Sequence, residues 1–150
     1  MGLDMYLEKR TYVRQWEHQK PEEQYNVEVT KGGEPIQIDP KRVTYVIEEV
    51  GYWRKANQIH NWFVEYVQDG VDNCGEYYVG SDKLKDLLDL CKQVQANNSL
   101  AEELLPTTSG FFFGDTAYNE WYFKDIENTI EILEKILDET SADYYYSSSW

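Results

Sequence analysis

The sequence predicts a single α+β domain in which a mainly antiparallel sheet is covered by about three helices. Apolar residues alternate with a period of two in the first third of the chain, and later segments repeat them at spacings of three and four. A chain of 150 residues can bury one core without disulfides or structural metals. Strands followed by mixed strands and helices are typical of α+β proteins, so we assign residues 1–150 to one domain.

Several segments have the composition of strands. Residues 4–13 alternate, and the runs 26–30 and 34–38 flank Gly32-Gly33 and predict a hairpin. Residues 43–52 are rich in β-branched and aromatic side chains, which favours a strand, with a helix as the alternative. Further strands are predicted for residues 75–80, 107–114 and 143–150. The strand at 107–114 is predicted to be buried.

The helical period appears in three segments. From Trp53 onward, apolar residues recur at three and four up to Val67, which predicts a helix of about four turns that Gly70 ends. A second helix is predicted after Ser81, and a third after the possible N-caps of residues 115–119. Cys74 and Cys91 have neither metal-site nor redox spacing, so we expect two reduced thiols.

The net charge of −14 is unevenly placed. Residues 1–55 contain 9 Lys/Arg and 10 Asp/Glu, whereas residues 56–150 contain 5 and 18, so the second part has a net charge of −13. Such a surface repels nucleic acids and anionic membranes, and it either attracts a basic protein or simply provides solubility. Because the chain has neither a long apolar run nor a signal peptide, we expect a cytoplasmic protein.

The candidate binding site lies in the predicted helix that begins at Trp53. A guanidinium, two amides and an imidazole on adjoining turns could donate to one anion, and a tryptophan could stack on a base. The helix N-terminus would itself favour an anion. The predicted ligand-binding residues are Trp53, Arg54, Lys55, Asn57, His60 and Asn61. In the alternative interpretation, the cations pair with an internal carboxylate such as Glu48 or Glu49.

Enzymatic motifs are sparse. The chain has no P-loop, no dinucleotide-binding glycine pattern and no Gly-x-Ser-x-Gly elbow. His60 could act as a general base oriented by Glu76 or Asp72, but one histidine among scattered carboxylates is common. We therefore favour a non-catalytic protein without metal or cofactor. The tyrosines of 77–78 and 144–146 form either a protein-binding surface or solvated edge aromatics.

Four motifs together resemble a family of small bacteriophage and prophage accessory proteins, and the resemblance covers most of the chain. They are Gly2-Leu3-Asp4-Met5-Tyr6-Leu7, Trp53-Arg54-Lys55-Ala56-Asn57, Cys74-Gly75-Glu76-Tyr77-Tyr78 and Ser109-Gly110-Phe111-Phe112-Phe113-Gly114. The family has no settled activity, so the resemblance implies a viral setting inside a host cell, where small accessory proteins are frequently counter-defence factors.

The leading functional prediction is sequestration of a small anionic, nucleotide-like signal. The first alternative is an acidic inhibitor that binds a basic, nucleic-acid-binding surface of a host immune protein such as a CRISPR effector. The second alternative is a nucleotide hydrolase. A homo-oligomer is compatible with each of the three.

Overall fold

The computed structural model describes residues 2–150 and confirms the α+β prediction. The strands are β1 (Asp4–Tyr12), β2 (Thr30–Lys31), β3 (Glu34–Pro35), β4 (Tyr45–Arg54), β5 (Tyr77–Val79) and β6 (Asp143–Ser149). The helices are α1 (Asn57–Tyr66), α2 (Ser81–Ala96), α3 (Ala101–Leu104) and α4 (Glu120–Leu137). Single 3-10 turns occur at Pro21–Glu23, Pro40–Arg42 and Asn98–Leu100. None of the helices within residues 2–150 is both long and apolar enough to cross a membrane.

Four strands form one antiparallel sheet in the order β4-β1-β6-β5. The first strand of the chain is central, and β6, close to the end of the chain, pairs beside it. A register shift between Leu7 and Glu8 places a bulge in the β1–β4 pairing. The remaining strands, β2 and β3, form a separate two-stranded ribbon around Gly32 and Gly33, which both have positive φ.

One face of the sheet is covered by helices. The alternation of β1 turns Met5 and Leu7 into the core, and Leu3, just before the strand, continues the pattern; each of the three is fully buried. From α1, the ring of Phe63 stacks on Tyr146 of β6 at a centroid distance of 3.8 Å. Helix α4 packs on the same side, because its partly buried Ile132 lies against the backbone of β4 at Gly51. The opposite face, here called the outer face, turns the intervening residues of each strand to solvent.

The prediction that a helix begins at Trp53 is wrong. Trp53 and Arg54 are the last residues of β4, where they pair with Met5 and Asp4. Lys55 then adopts φ 56°, a left-handed conformation that interrupts the strand, and α1 begins only at Asn57. The apolar spacing misled the prediction because Trp53 and Ala56 are buried for different reasons, one by the strand and the other by the turn. The helix alternative for residues 43–52 is wrong as well, since β4 occupies this segment from Tyr45 onward.

The predicted buried strand at 107–114 is also wrong. The segment is an irregular loop in which Phe113 is buried, while Phe111 keeps 74% of its surface exposed. Phe112 and Gly114 both have positive φ, which no regular strand accommodates. The apolar run therefore does not indicate a strand here.

Other element predictions are confirmed. Asn119 caps α4 by accepting hydrogen bonds from the backbone N–H groups of Trp121 and Tyr122. The C-terminal tail forms β6, and the hairpin exists but is only two residue pairs long.

Both cysteines are free thiols, and burial raises the pKa of Cys91 to about 12.

Candidate functional site

A cleft of about 230 Å³ opens where the β4–α1 junction meets the first two turns of α4 and the loop before it. We call it the cation cleft. Its lining residues are Arg54, Lys55, Gln58, Thr107, Gly114, Asp115, Ala117, Asn119, Trp121, Tyr122, Lys124 and Asp125. It therefore contains two of the six predicted site residues, Arg54 and Lys55, together with side chains that the sequence did not single out.

Arg54 reaches the cleft from the end of β4. Its Nη1 donates to Asp4 Oδ1 at 3.1 Å, and 52% of its side chain stays exposed. The Tyr52 hydroxyl also donates to Asp4, and this hydrogen bond, helped by the charge of Arg54, lowers the pKa of the Asp4 carboxyl. The interpretation that an internal carboxylate pairs with this cation is thus correct in kind, but the partner is Asp4.

Lys55 is held in the cleft by its backbone. Its N–H donates to the Leu3 carbonyl at 2.8 Å, and its own carbonyl accepts from the Asn57 N–H at 2.9 Å. Gly114 lies directly against its side chain: a Cβ at that glycine would come within 3.1 Å of Lys55 Cβ. Among residues 2–150, Lys55 forms no salt bridge, so of the three cations that line the cleft its ammonium is the most available to a ligand.

Asn57 is buried and holds the opposite wall of the cleft. Its Nδ2 donates to the carbonyls of Phe113 and Asp115 at 3.1 and 2.9 Å, and its Oδ1 accepts from the Thr108 N–H at 3.0 Å. These bonds fasten the 107–117 loop onto α1. The amide that was predicted to bind an anion is therefore engaged with backbone groups, and it shapes the cleft from behind.

His60 lies in the core with no exposed surface. Its Nδ1 is 2.6 Å from the Tyr146 hydroxyl, and its Nε2 is 2.9 Å from Asp72 Oδ2. The other oxygen of Asp72 accepts from the indole N–H of Trp150 at 3.0 Å. This series of hydrogen bonds connects α1, β6 and the C-terminal residue. Burial raises the pKa of Tyr146 well above its usual range. Asp72 keeps 25% of its side chain exposed, but His60 and Tyr146 are enclosed, so we assign this relay a structural role.

Trp53 and Asn61 also lie outside the cleft. Trp53 is almost fully buried, and its indole N–H donates to Thr129 Oγ1 of α4 at 2.8 Å, so it cannot stack on a ligand. Asn61 is partly exposed and lines a different, smaller depression beside Trp62 and Leu105. The structure thus separates the six predicted residues into two cleft cations, three buried side chains and one residue elsewhere.

Helix α4 supplies the side chains that sequence reasoning missed. Trp121, Lys124 and Asp125 recur at spacings of three and four, so they share one side of the first two turns. Trp121 is 70% exposed, and the side chain of Lys124 keeps 70% of its surface exposed while pairing with Glu127 at 3.3 Å. The available signal in the sequence was a tryptophan that lies outside the apolar stripe of the helix, one turn before a lysine.

Asp125 lies at the floor of the cleft. Burial raises the pKa of this carboxyl to about 6, although a hydrogen bond with Gln58 offsets part of the rise. Gln58 is itself buried and donates its amide to the Tyr122 carbonyl at 3.2 Å. Asp125 is therefore mostly ionised at pH 7 and half protonated near pH 6, so its competition with an external anion for the neighbouring lysines weakens as the pH falls below neutral.

The cation cleft brings several unburied cations and an exposed aromatic ring together around one concavity. A second concavity of about 660 Å³, lined by Arg14, Trp16 and Lys41 among others, has the same combination. No group of three or more His, Cys, Asp or Glu side chains suited to a metal ion occurs within residues 2–150. Comparisons with protein-family models, with curated proteins and with solved structures found no match for the chain.

Proposed function

We propose that the protein binds a small anionic, nucleotide-like ligand in the cation cleft and acts by sequestering it. The observation that carries the proposal is that Arg54, Lys55 and Lys124 converge from two distant segments on one cleft. In a chain of net charge −14, Asp4 pairs with Arg54 and Glu127 pairs with Lys124, which leaves Lys55 as the cation of the cleft without a salt bridge among residues 2–150. An anionic ligand would balance this charge.

The carboxylates of the cleft balance these cations only in part. Both oxygens of Asp115 already accept hydrogen bonds, from the Ala117 N–H at 2.8 Å and from Asn119 Nδ2 at 2.9 Å. Asp125 is mostly ionised at pH 7 and becomes protonated as the pH falls through about 6. Lys55 has no salt bridge among residues 2–150, so it is free to pair with the phosphate or carboxylate oxygens of a ligand, as point-charge donors commonly do. Lys124 can do so by leaving its exposed contact with Glu127.

The dimensions of the cleft favour a ligand with one compact anionic end. A volume of about 230 Å³ is below the roughly 300–1,000 Å³ of pockets that enclose a whole drug-sized ligand. The cleft suits a phosphate or diphosphate, while the exposed ring of Trp121 at the rim offers a surface on which a base can stack. A nucleotide satisfies both requirements.

The resemblance to phage and prophage accessory proteins gives this binding a setting. Sequestration of a nucleotide signal inside an infected cell would counter a host defence that depends on that signal. A nucleotide hydrolase is the competing function for the same cleft. Because His60 is enclosed, such an enzyme would have to use Asp125 as its acid or base.

Calorimetric titration with ADP, inorganic pyrophosphate and adenosine tests the ligand class. We expect ADP to bind more tightly than pyrophosphate, and adenosine to bind least, because the lysines need an anion. Lys55→Ala and Lys124→Ala should each weaken ADP binding about tenfold, which corresponds to about 1.4 kcal/mol. Lys83→Ala on α2, an exposed lysine outside the cleft, is the matched control and should leave the affinity unchanged.

Binding of adenosine as tight as that of ADP, or equal losses in all three lysine variants, would contradict the proposal. Sequestration and hydrolysis are then separated by heating the ADP complex and determining the mass of the released nucleotide. Sequestration requires unaltered ADP, whereas AMP and phosphate would identify a hydrolase.

A further inference from the structure

The outer face of the four-stranded sheet is lined by tyrosines on all four strands. The strand register identifies the side chains on this face, since residues paired across antiparallel neighbours point to the same side. Tyr6 of β1 meets Tyr52 of β4 at a ring-centroid distance of 5.5 Å, and Tyr12 meets Tyr45 at 5.2 Å. Toward the other edge, Tyr145 of β6 meets Tyr78 of β5 at 5.8 Å.

These rings are accessible. The exposed fractions are 45% for Tyr12, 47% for Tyr45, 43% for Tyr52 and 58% for Tyr78, and Ile47 beside them is 55% exposed. At about 150–250 Å² per aromatic side chain, the four tyrosines offer on the order of 400 Å² of surface. This surface is divided among separate ring pairs with polar side chains between them.

Carboxylates lie between the tyrosine pairs. Glu8 of β1 is paired in register with Glu49 of β4, and like charges directly opposite each other destabilise a sheet. Arg10 forms a salt bridge with Glu8 at 3.1 Å, which reduces the repulsion between the two glutamates. Within residues 2–150, Glu49 has no salt-bridge partner. A cation supplied from outside would relieve this pair.

Arg10 shows how such a cation would be received. Its guanidinium lies over the ring of Tyr145 at 3.9 Å and is held by Glu8 and Glu76. A guanidinium on a tyrosine ring, flanked by carboxylates, combines a cation–π contact with ion pairs. The remaining tyrosines, with Glu49 among them, offer similar surroundings to the arginines of another molecule.

We propose that the outer face is a docking surface for an arginine-rich, basic surface of another protein. Charge complementarity selects this partner: the chain has a net charge of −14, and the face presents five carboxylates, Asp4, Glu8, Glu49, Glu76 and Asp143, against two arginines, Arg10 and Arg54. Nucleic acid, which also binds tyrosine-bearing sheets, is repelled by the same charge. The surface suits the acidic-inhibitor function and does not depend on the cation cleft.

Fluorescence anisotropy with a labelled octa-arginine peptide tests the proposal, using intact protein variants. Glu8→Gln/Glu49→Gln should weaken binding about fivefold, whereas Glu102→Gln/Glu103→Gln on α3 removes the same charge elsewhere and should change it less than about twofold. Tyr45→Ser/Tyr78→Ser should also weaken binding about fivefold, with Tyr25→Ser/Tyr66→Ser as the matched control for exposed tyrosines.

Equal losses in each variant pair and its control would show unspecific attraction to an acidic protein and would overturn the proposal, as would absence of peptide binding. Circular dichroism melting identifies any variant that fails to fold. Since Tyr45 and Tyr78 are exposed, their double variant keeps the test decisive if the glutamate variant is unstable. Lys124→Ala should leave peptide binding unchanged, so failure here is distinguishable from failure of the ligand proposal.

Discussion

Asp125 links the ionisation of one residue to the stability of the fold. Its pKa is about 6 in the folded chain, above the ordinary aspartate value of 3.8. Between roughly pH 4 and 6 the folded state therefore holds a proton that the unfolded state has lost, so this contribution to stability falls as pH rises through that window and is absent above it.

The substitution Asp125→Asn should remove this pH dependence. We expect the free energy of unfolding at pH 7.5 to rise by about 1–2 kcal/mol, because an amide has no charge to desolvate. At pH 4 the variant and the wild type should differ little. Urea denaturation at the two pH values measures the difference, and an equal effect at both would contradict the raised pKa.

We expect substitution of Asn57 to reduce the stability of the fold, because its side chain bonds to the backbone of the 107–117 loop. Asn57→Ala leaves two backbone carbonyls and one N–H of the 107–117 loop without their partner, and each unsatisfied group costs about 1–3 kcal/mol when it is buried. Because the loop can rehydrate in part, we expect a loss of about 2–4 kcal/mol by urea denaturation. Asn61→Ala, on the same helix but partly exposed, should cost less than about 1 kcal/mol.

A comparable loss in both asparagine variants would show that the three hydrogen bonds of Asn57 do not hold the loop.

Residue types in the sequence identified Asn57 and His60 as candidate site residues, yet their structural role could not be predicted. The partners of Asn57 lie 51 to 58 positions away, and those of His60 lie 12 and 86 positions away. Only the tertiary fold decides that these donors and acceptors meet backbone and core groups.

At the scale of elements, the turn at Lys55 decides the position of the cleft. It converts an edge strand into a helix within two residues, and it places a lysine at φ 56°, where most residues other than glycine are strained. Lys55→Gly should therefore stabilise the protein by about 1 kcal/mol while weakening ADP binding about tenfold. Lys55→Ala should weaken binding equally without that stabilisation.

Thermal unfolding and calorimetry of these two variants separate backbone strain from ligand binding. If Lys55→Gly binds ADP as well as the wild type, the lysine side chain is not part of the ligand site. A stabilised but binding-deficient variant would instead indicate that function maintains an unfavourable conformation at this position, as occurs at other strained sites.

Element types were predicted better than element boundaries. β1, β4, β6, α2 and α4 follow directly from alternation, helical spacing and the Asn119 cap. The start of α1 was misplaced because a buried strand end and a buried turn residue happened to continue the helical spacing. The Phe111-Phe112-Phe113 run failed for another reason: Phe112 has φ 64°, which the residue type gives no indication of.

At the scale of the whole molecule, two surfaces with opposite preferences emerge. The cation cleft collects lysines and an arginine at one end of α4, while the outer face of the sheet presents tyrosines and carboxylates. The charge count predicted that an anion could be bound in few places, and Arg54 and Lys55, one of the predicted places, line a cleft. It could not predict Lys124 and Asp125, because only the packing of α4 against the β4–α1 junction brings them there.

Proton uptake should accompany ligand binding in the cleft. An anion near Asp125 raises the pKa of that carboxyl further, so ADP should bind more tightly at pH 5.5 than at pH 7.5. Calorimetry in buffers of different ionisation enthalpy measures the protons taken up. Asp125→Asn should abolish the uptake, and an unchanged uptake in that variant would assign the proton to another group.

Native mass spectrometry of the protein isolated from phage-infected cells tests the central claim most directly. We predict that the wild type retains a small molecule with nucleotide absorbance that heat releases unaltered, and that Arg54→Ala/Lys124→Ala carries none although it remains folded. If the double variant retains the same molecule, or if the wild type carries only a protein partner, sequestration in the cation cleft is contradicted.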